Sequence, residues 1–228
     1  FVKNDIGTFG SKHFIWQCPP IYRHRQNLGS NCSPHSKRSI LNNDRQRICK
    51  TLLYKRMGWT THIEVDHPEK YILCLAPHTS NWDFIIGLLY SRAEGIKANF
   101  LMKKEWFFWP LGVWFRHLGG IPVNRSKHTS MTDAMAEAAR REPNFKLCVT
   151  PEGTRSLNPN WKKGFYFIAL KAELPILLYG LDFERKLIEC TQMIVPTGDV
   201  DADMKRIKTY FKDFKGKNPE LFTVGELD

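Results

Sequence analysis

Short apolar runs, each stopping abruptly and followed by a stretch with helical spacing, constrain this chain more than any other feature. Tyr71-Ile-Leu-Cys-Leu-Ala76 is six residues without a charge, bounded by Lys70 and Pro77. A continuous apolar run of that length reads as a strand buried on both faces. Asn81 to Arg92 then reads as a helix. Further strands are expected at 98–102, 120–123, 146–149, 175–179 and 187–195, and further helices at 46–57, 129–141, 164–172 and 200–214. This alternation predicts an α/β domain, a mostly parallel or mixed sheet flanked by helices. At 228 residues and 42% hydrophobic, the chain can bury one good core. Residues 1–45 break the pattern, with Pro19, Pro20, Pro34, many basic residues, several Asn and Ser, and no sustained periodicity; the first methionine is Met57. We expect 1–45 to be an irregular basic segment, disordered or outside the natural domain, and 46–228 to form the folded domain.

The net charge of +11 invites a nucleic-acid reading, but its distribution weakens that. Residues 1–50 hold nine Lys/Arg against Asp5 and Asp44, while the remainder holds 25 against 21 acidic residues. The folded part is only mildly basic, which suits an anionic membrane surface or a phosphorylated substrate equally well. With no nucleic-acid-binding motif, we expect no nucleic-acid partner. The six cysteines show no C-x-x-C pair and no metal-ligand spacing, so no metal site is expected, and Cys74 and Cys148 sit inside apolar runs. Reduced buried thiols favour a cytoplasmic setting. No stretch approaches the roughly 18–20 apolar residues of a spanning helix, and the N-terminus lacks a signal-peptide core. A soluble or peripheral protein is expected.

Chemistry-bearing residues fall where strands end, which is where α/β folds place reactive groups. Pro77-His78-Thr79-Ser80-Asn81-Trp82-Asp83 joins the 71–76 strand to the next helix. On one continuous helix His78 and Asp83 would diverge by about 140°. With His78 on the turn and Asp83 in the helix's first turn, the carboxylate can fold back onto the imidazole and leave the other ring nitrogen to take a proton. Ser80 and Asp83 also form a capping-box pattern, an ordinary account of the same acid. Thr150-Pro151-Glu152-Gly153-Thr154-Arg155-Ser156 follows the 146–149 strand. Its glycine permits close backbone approach and Arg155 offers a planar fork to a phosphate; a surface turn with a Glu–Arg pair is the plain alternative. Gly119-Gly120-Ile121-Pro122-Val123-Asn124-Arg125 brings Arg125 past another strand, and Lys103 and Lys104 end the strand at 98–102. Arg125, Lys103 and Lys104, taken alone, are more often solvated surface charges.

Taken in order, His-x4-Asp, Gly-Gly-x-Pro-x-x-Arg, Pro-Glu-Gly-Thr-Arg and a strand opening at Pro175 resemble the glycerolipid acyltransferase family, which includes the 1-acylglycerol-3-phosphate acyltransferases. The resemblance runs from about residue 50 to 200 and implies a glycerol-3-phosphate acyltransferase-like fold. Two positions depart from the family's usual pattern. Pro77 stands where asparagine is common, and Asn124 where aspartate is common.

What the resemblance implies is transfer of a fatty acyl group from acyl-CoA or acyl carrier protein to a hydroxyl of lysophosphatidic acid, without metal or bound cofactor. His78 would be the general base and Asp83 its partner. Arg125 and Arg155 would hold the acceptor's phosphate, with Glu152, Gly153 and Thr154 ordering the site and Lys103 and Lys104 adding positive charge. Backbone N–H groups near Gly153 would serve the oxyanion. With no serine or cysteine set beside His78, direct transfer is favoured over an acyl-enzyme. A lyso-aminolipid, a glycolipid or glycerol 3-phosphate remains an alternative acceptor, and a non-catalytic lipid-binding module an alternative class. The ten uncharged residues Trp106 to Phe115, flanked by Lys103, Lys104, Arg116 and His117, fit a peripheral contact at the cytoplasmic face of a membrane or, equally, packing in the core. The basic 200–217 stretch reads as a second membrane contact or, more commonly, a solvated face.

Overall fold

The computed structural model describes residues 43–123 and 128–227. Most of the irregular 1–45 segment, and Arg125, lie outside the described residues. The elements run α1 (43–50), continuing as a π-helical turn Thr51–Arg56, β1 (Thr60–Ile63), β2 (Tyr71–Ala76), α2 (Asn81–Ala93), β3 (Asn99–Lys103), a 3-10 turn (Lys104–Trp106), α3 (Leu111–His117), β4 (Gly120–Val123), α4 (His128–Arg141), β5 (Lys146–Val149), α5 (Gly164–Ala172), β6 (Ile176–Asp182), β7 (Leu187–Ile194), α6 (Val200–Phe211) and a last 3-10 turn (Pro219–Leu221).

The seven strands form one sheet in the order β1-β7-β6-β2-β5-β3-β4. Every neighbouring pair is parallel except β6 and β7, which run antiparallel. The sheet is therefore mixed, and helices cover both faces, as the alternating pattern predicts. β1 and α3 escaped the pattern reading. β1 is a largely exposed strand, so no apolar period marks it, and α3 lies within an aromatic run in which only Gly112 and Phe115 are buried.

Why β2 is apolar at every position follows from its place at the sheet's centre. Ile72, Cys74 and Ala76 join the core beneath α4, α5 and α6. The intervening Tyr71, Leu73 and Leu75 join a second core with Leu53, Trp59, Ile86 and Tyr90 on the opposite face. β6 divides likewise, Ile176 and Leu178 to one side and Leu177, Tyr179 and Leu181 to the other. Each such fully buried aliphatic side chain contributes about 1.5–3 kcal/mol. The rigid centre this makes ends, along one edge, in the turns that carry the motifs.

Candidate active site

β2 and β5 are parallel neighbours, with Tyr71 opposite Lys146 and Cys74 opposite Val149. Both strands therefore end on the same edge, and the turns that follow them, 77–80 and 150–155, lie side by side. The sequence placed these motifs at strand ends; the strand order joins them.

Asp83 sits at the third position of α2, and one of its oxygens does several things. Asp83 Oδ2 accepts the backbone N–H groups of Thr79 at 2.7 Å and Ser80 at 2.8 Å, and lies 3.1 Å from His78 Nδ1. Ser80 caps the helix in return, completing the capping box. Thus the plain capping account and the catalytic account of Asp83 describe one arrangement. The carboxylate closes the turn, and the closed turn brings the imidazole to it. Because Asp83 can only accept, Nδ1 carries the proton and Nε2 keeps its lone pair. Asp83 is fully buried while the His78 side chain is 22% exposed, so the pair is anchored inside and open outside. His78 Nε2 makes no hydrogen bond to the described residues.

Glu152 supplies the link between the turns. It is 4% exposed, and its Oε1 accepts the backbone N–H of His78 at 2.9 Å. Burial, opposed by the N–H groups of His78 and of Glu152 itself, pushes its carboxyl up to about 7. Glu152 Oε2 and Asp83 Oδ1 are both buried without a hydrogen-bond partner among the described residues. Two under-satisfied buried carboxylate oxygens cost stability, and such costs persist chiefly at functional sites. Gly153 adopts φ +67°, a conformation disfavoured for other residues, with the Lys162 side chain against it. Its own N–H donates to Thr150 O at 3.1 Å, so an oxyanion at this site needs a different donor. Thr154 Oγ1 accepts the Ser156 N–H at 3.3 Å.

Arg155 is exposed and its guanidinium donates to Asn81 Oδ1, at the first position of α2. That is a second tie between the two turns, and the fork's other N–H groups have no hydrogen-bond partner among the described residues. Lys103 ends β3 level with Val123 of β4, on the same edge of the sheet, and Lys104 is exposed in the turn that follows.

Residues at the far end of the chain complete the site, and none stood out in the sequence. Asn218 donates its backbone N–H to Thr79 Oγ1 at 3.2 Å and its amide to Thr79 O at 3.0 Å. Gly216 packs so closely that an added Cβ would lie 2.6 Å from Thr79 Oγ1. The 214–218 segment thereby clamps the residue next to His78. A contact 139 residues apart leaves no local signature.

The family model described as Acyltransferase matches residues 58–179, just over half of the chain, taking in His78, Asp83 and Glu152 to Arg155. Two 1-acyl-sn-glycerol-3-phosphate acyltransferases, of Limnanthes douglasii and Limnanthes alba, are 32% and 34% identical over 120 and 121 residues, each match covering 49% of this chain and 41% of the relative. The human 1-acyl-sn-glycerol-3-phosphate acyltransferase beta is 34% identical over 84 residues, 34% of this chain and 30% of its own length. Among solved structures, the 1-acyl-sn-glycerophosphate acyltransferase of Thermotoga maritima is similar at 18% identity, covering 74% of either chain with a TM-score of 0.49. The chain spans about two fifths of the length of the Limnanthes relatives. With the matched span containing the His78–Asp83 pair and the Glu152 turn tied to it, the chain belongs to the acyltransferase family.

Proposed function

We propose that this protein moves a fatty acyl group from a thioester, acyl-CoA or acyl carrier protein, to the free hydroxyl of lysophosphatidic acid, giving phosphatidic acid. The observation that carries this reading is His78, held by the buried Asp83 through Nδ1 at 3.1 Å, with its other nitrogen free of any hydrogen bond to the described residues. His78 Nε2 takes the hydroxyl proton as the acceptor oxygen attacks the thioester carbonyl carbon, and Asp83 stabilises the imidazolium that forms. When the tetrahedral intermediate collapses, the C–S bond breaks and the imidazolium returns its proton to the departing thiolate. Arg155, steadied by Asn81, binds the acceptor's phosphate, and Arg125, Lys103 and Lys104 are the further cations assigned to it. Glu152, Gly153 and Thr154 shape the floor beside the reacting atoms. The reaction needs no metal or bound cofactor.

Both acceptor and product are lipids, and the aromatic run supplies a means of reaching them. Trp109 is 84% exposed, and Trp106, Phe108, Val113 and Trp114 are exposed around it. Arg116 lies over the Phe107 ring at 5.5 Å. An exposed aromatic cluster with cations beside it suits the interface of an anionic bilayer, and we place the protein peripherally at the cytoplasmic face of a membrane. No helix among the described residues is long and apolar enough to cross one.

Thiol release from a long-chain acyl-CoA, with and without lysophosphatidic acid, tests the reading. We expect release to require the acceptor and to fall by about 10²-fold or more in His78→Ala, the loss expected for a general base. Release without acceptor would mark a hydrolase and overturn the assignment. Turnover with a different lysolipid alone would keep the chemistry and change the acceptor.

A further inference from the structure

Beside the catalytic turn, on the same edge of the sheet, lies an open groove of about 530 Å3 to which the acyl-transfer chemistry gives no role. Its walls come from the end of the π-helical turn and the residues after it (56–59), the first half of α2, the β6–β7 turn and the 215–219 segment. Trp82, Trp59, Phe183 and Met57 make it apolar. Trp59 and Phe183 meet edge to face at 5.0 Å, a rigid back wall, whereas Trp82 is 47% exposed and presents its indole to whatever enters.

The groove is also cationic. Arg56, Lys186, Lys215 and Lys217 line it against a single acid, Glu184. Two of the cations are already engaged. Lys215 pairs with Glu184 at 2.6 Å, and Lys186 donates to Met57 O at 3.1 Å. Arg56 and Lys217 have no hydrogen-bond or ion-pair partner among the described residues. An apolar cleft with an exposed indole and two uncommitted cations suits a flat, aromatic, multiply phosphorylated ligand: the base stacks while the phosphates meet the cations.

Its position says where the rest of that ligand goes. Trp82 is the residue before Asp83, and Gly216, on the groove's wall, abuts both Thr79 and Pro77. The groove's wall thus packs directly on the residues that flank His78 in the chain. The geometry points to this groove as the seat of the 3′-phosphorylated adenine nucleotide of a coenzyme A thioester, whose pantetheine arm carries the thioester round to His78. The thioester part rests on the acyl-transfer reading above; nucleotide binding is measured apart from it. The assignment makes acyl-CoA the donor for which the surface is built, since a carrier protein presents its arm without a nucleotide.

The test joins a binding and a kinetic measurement on the full chain. CoA and adenosine 3′,5′-bisphosphate are titrated calorimetrically into the wild type and Arg56→Glu/Lys217→Glu, with Arg56→Gln/Lys217→Gln as a milder variant should charge reversal disturb folding. Both ligands bind the wild type, more weakly as salt rises, and bind the variants about 10- to 100-fold more weakly, as expected for losing two charge-assisted contacts. In Arg56→Glu alone, KM for acyl-CoA rises about 10-fold with kcat nearly unchanged, while the kinetics with an S-acyl-pantetheine, which lacks the nucleotide, do not move. Nucleotide binding unaffected by the substitutions would overturn the proposal, as would no binding together with an unaltered KM for acyl-CoA. So would variants that lose only flotation with anionic vesicles, which would make the groove a membrane contact. Nucleotide binding that responds to the substitutions in a protein that turns over no thioester would uphold the groove and bring down the acyl-transfer reading instead.

Discussion

Glu152 Oε1 accepts the backbone N–H of His78 at 2.9 Å across 74 residues of sequence. Through this bond the turn after β5 holds the main chain of the residue whose side chain is oriented by Asp83. The imidazole is positioned twice, through its ring by one carboxylate and through its backbone by another, and both carboxylates are buried.

Because burial pushes the Glu152 carboxyl from its ordinary 4.5 up to about 7, the folded protein holds a proton there that the unfolded chain releases sooner. The corresponding stabilisation is fully present below pH 4.5 and is lost as pH rises through about 7. The whole effect is on the order of 3 kcal/mol. Glu152→Gln keeps a carbonyl for the His78 N–H and removes the titration. Its melting temperature should match the wild type near pH 5 and exceed it near pH 8.5. Parallel curves across that range would show that Glu152 carries its charge at no cost.

Asp83→Asn preserves much of the cap, because an amide oxygen can still accept the N–H groups of Thr79 and Ser80. It cannot accept a proton-bearing Nδ1 and stabilise an imidazolium equally well. We expect kcat to fall about 10²- to 10⁴-fold with a loss of only about 1 kcal/mol in stability, measured by turnover alongside chemical denaturation. Wild-type kcat in the variant would mean that Asp83 is a cap and nothing more.

Two glycines separate packing at the site from packing elsewhere. A Cβ at Gly216 would meet Thr79 Oγ1 at 2.6 Å and Pro77 Cβ at 3.2 Å, whereas one at Gly87, within α2, would meet nothing within 4 Å. Gly216→Ala should destabilise by about 1–3 kcal/mol and cut activity by up to about 10²-fold through displacement of the His78 turn. Gly87→Ala should stabilise by about 0.5–1 kcal/mol and leave turnover alone. Turnover of the folded variants is the readout, and wild-type kcat in folded Gly216→Ala would show that the 214–218 clamp does not position the site.

The exposed aromatic cluster can be tested without touching the chemistry. Trp109→Ser and Trp114→Ser remove large apolar side chains that water already reaches, so melting temperatures should hardly change. Flotation with anionic vesicles should weaken several-fold, and activity on vesicle-borne acceptor should fall while activity on detergent-dispersed acceptor persists. Unchanged flotation would remove this surface from the membrane-contact reading.

How much of this was legible beforehand depended on how local each cause is. Tyr71–Ala76, Gly120–Val123, Lys146–Val149 and Gly164–Ala172 appear in the sequence with their observed boundaries, because short apolar runs bounded by turn residues mark strands and helix ends carry local signals. The His78–Asp83 pair was equally legible, since a five-residue turn closed by a capping box is decided by its own atoms. β1 was not, because an edge strand exposed at Thr60, Thr61 and His62 satisfies its backbone through a partner 127 residues away and needs no apolar period.

Pairing between distant segments belonged to the tertiary structure. Which strand lies beside β2 follows from the packing of two cores against one sheet, and only that choice brings Glu152 to the His78 N–H and Arg155 to Asn81. The Thr79–Asn218 clamp and the cationic groove beside it are assembled the same way, from segments that share no local pattern. Residue types and their near neighbours carry the reactive chemistry in the chain itself. Their spacing in three dimensions is a property of burial summed over the whole molecule.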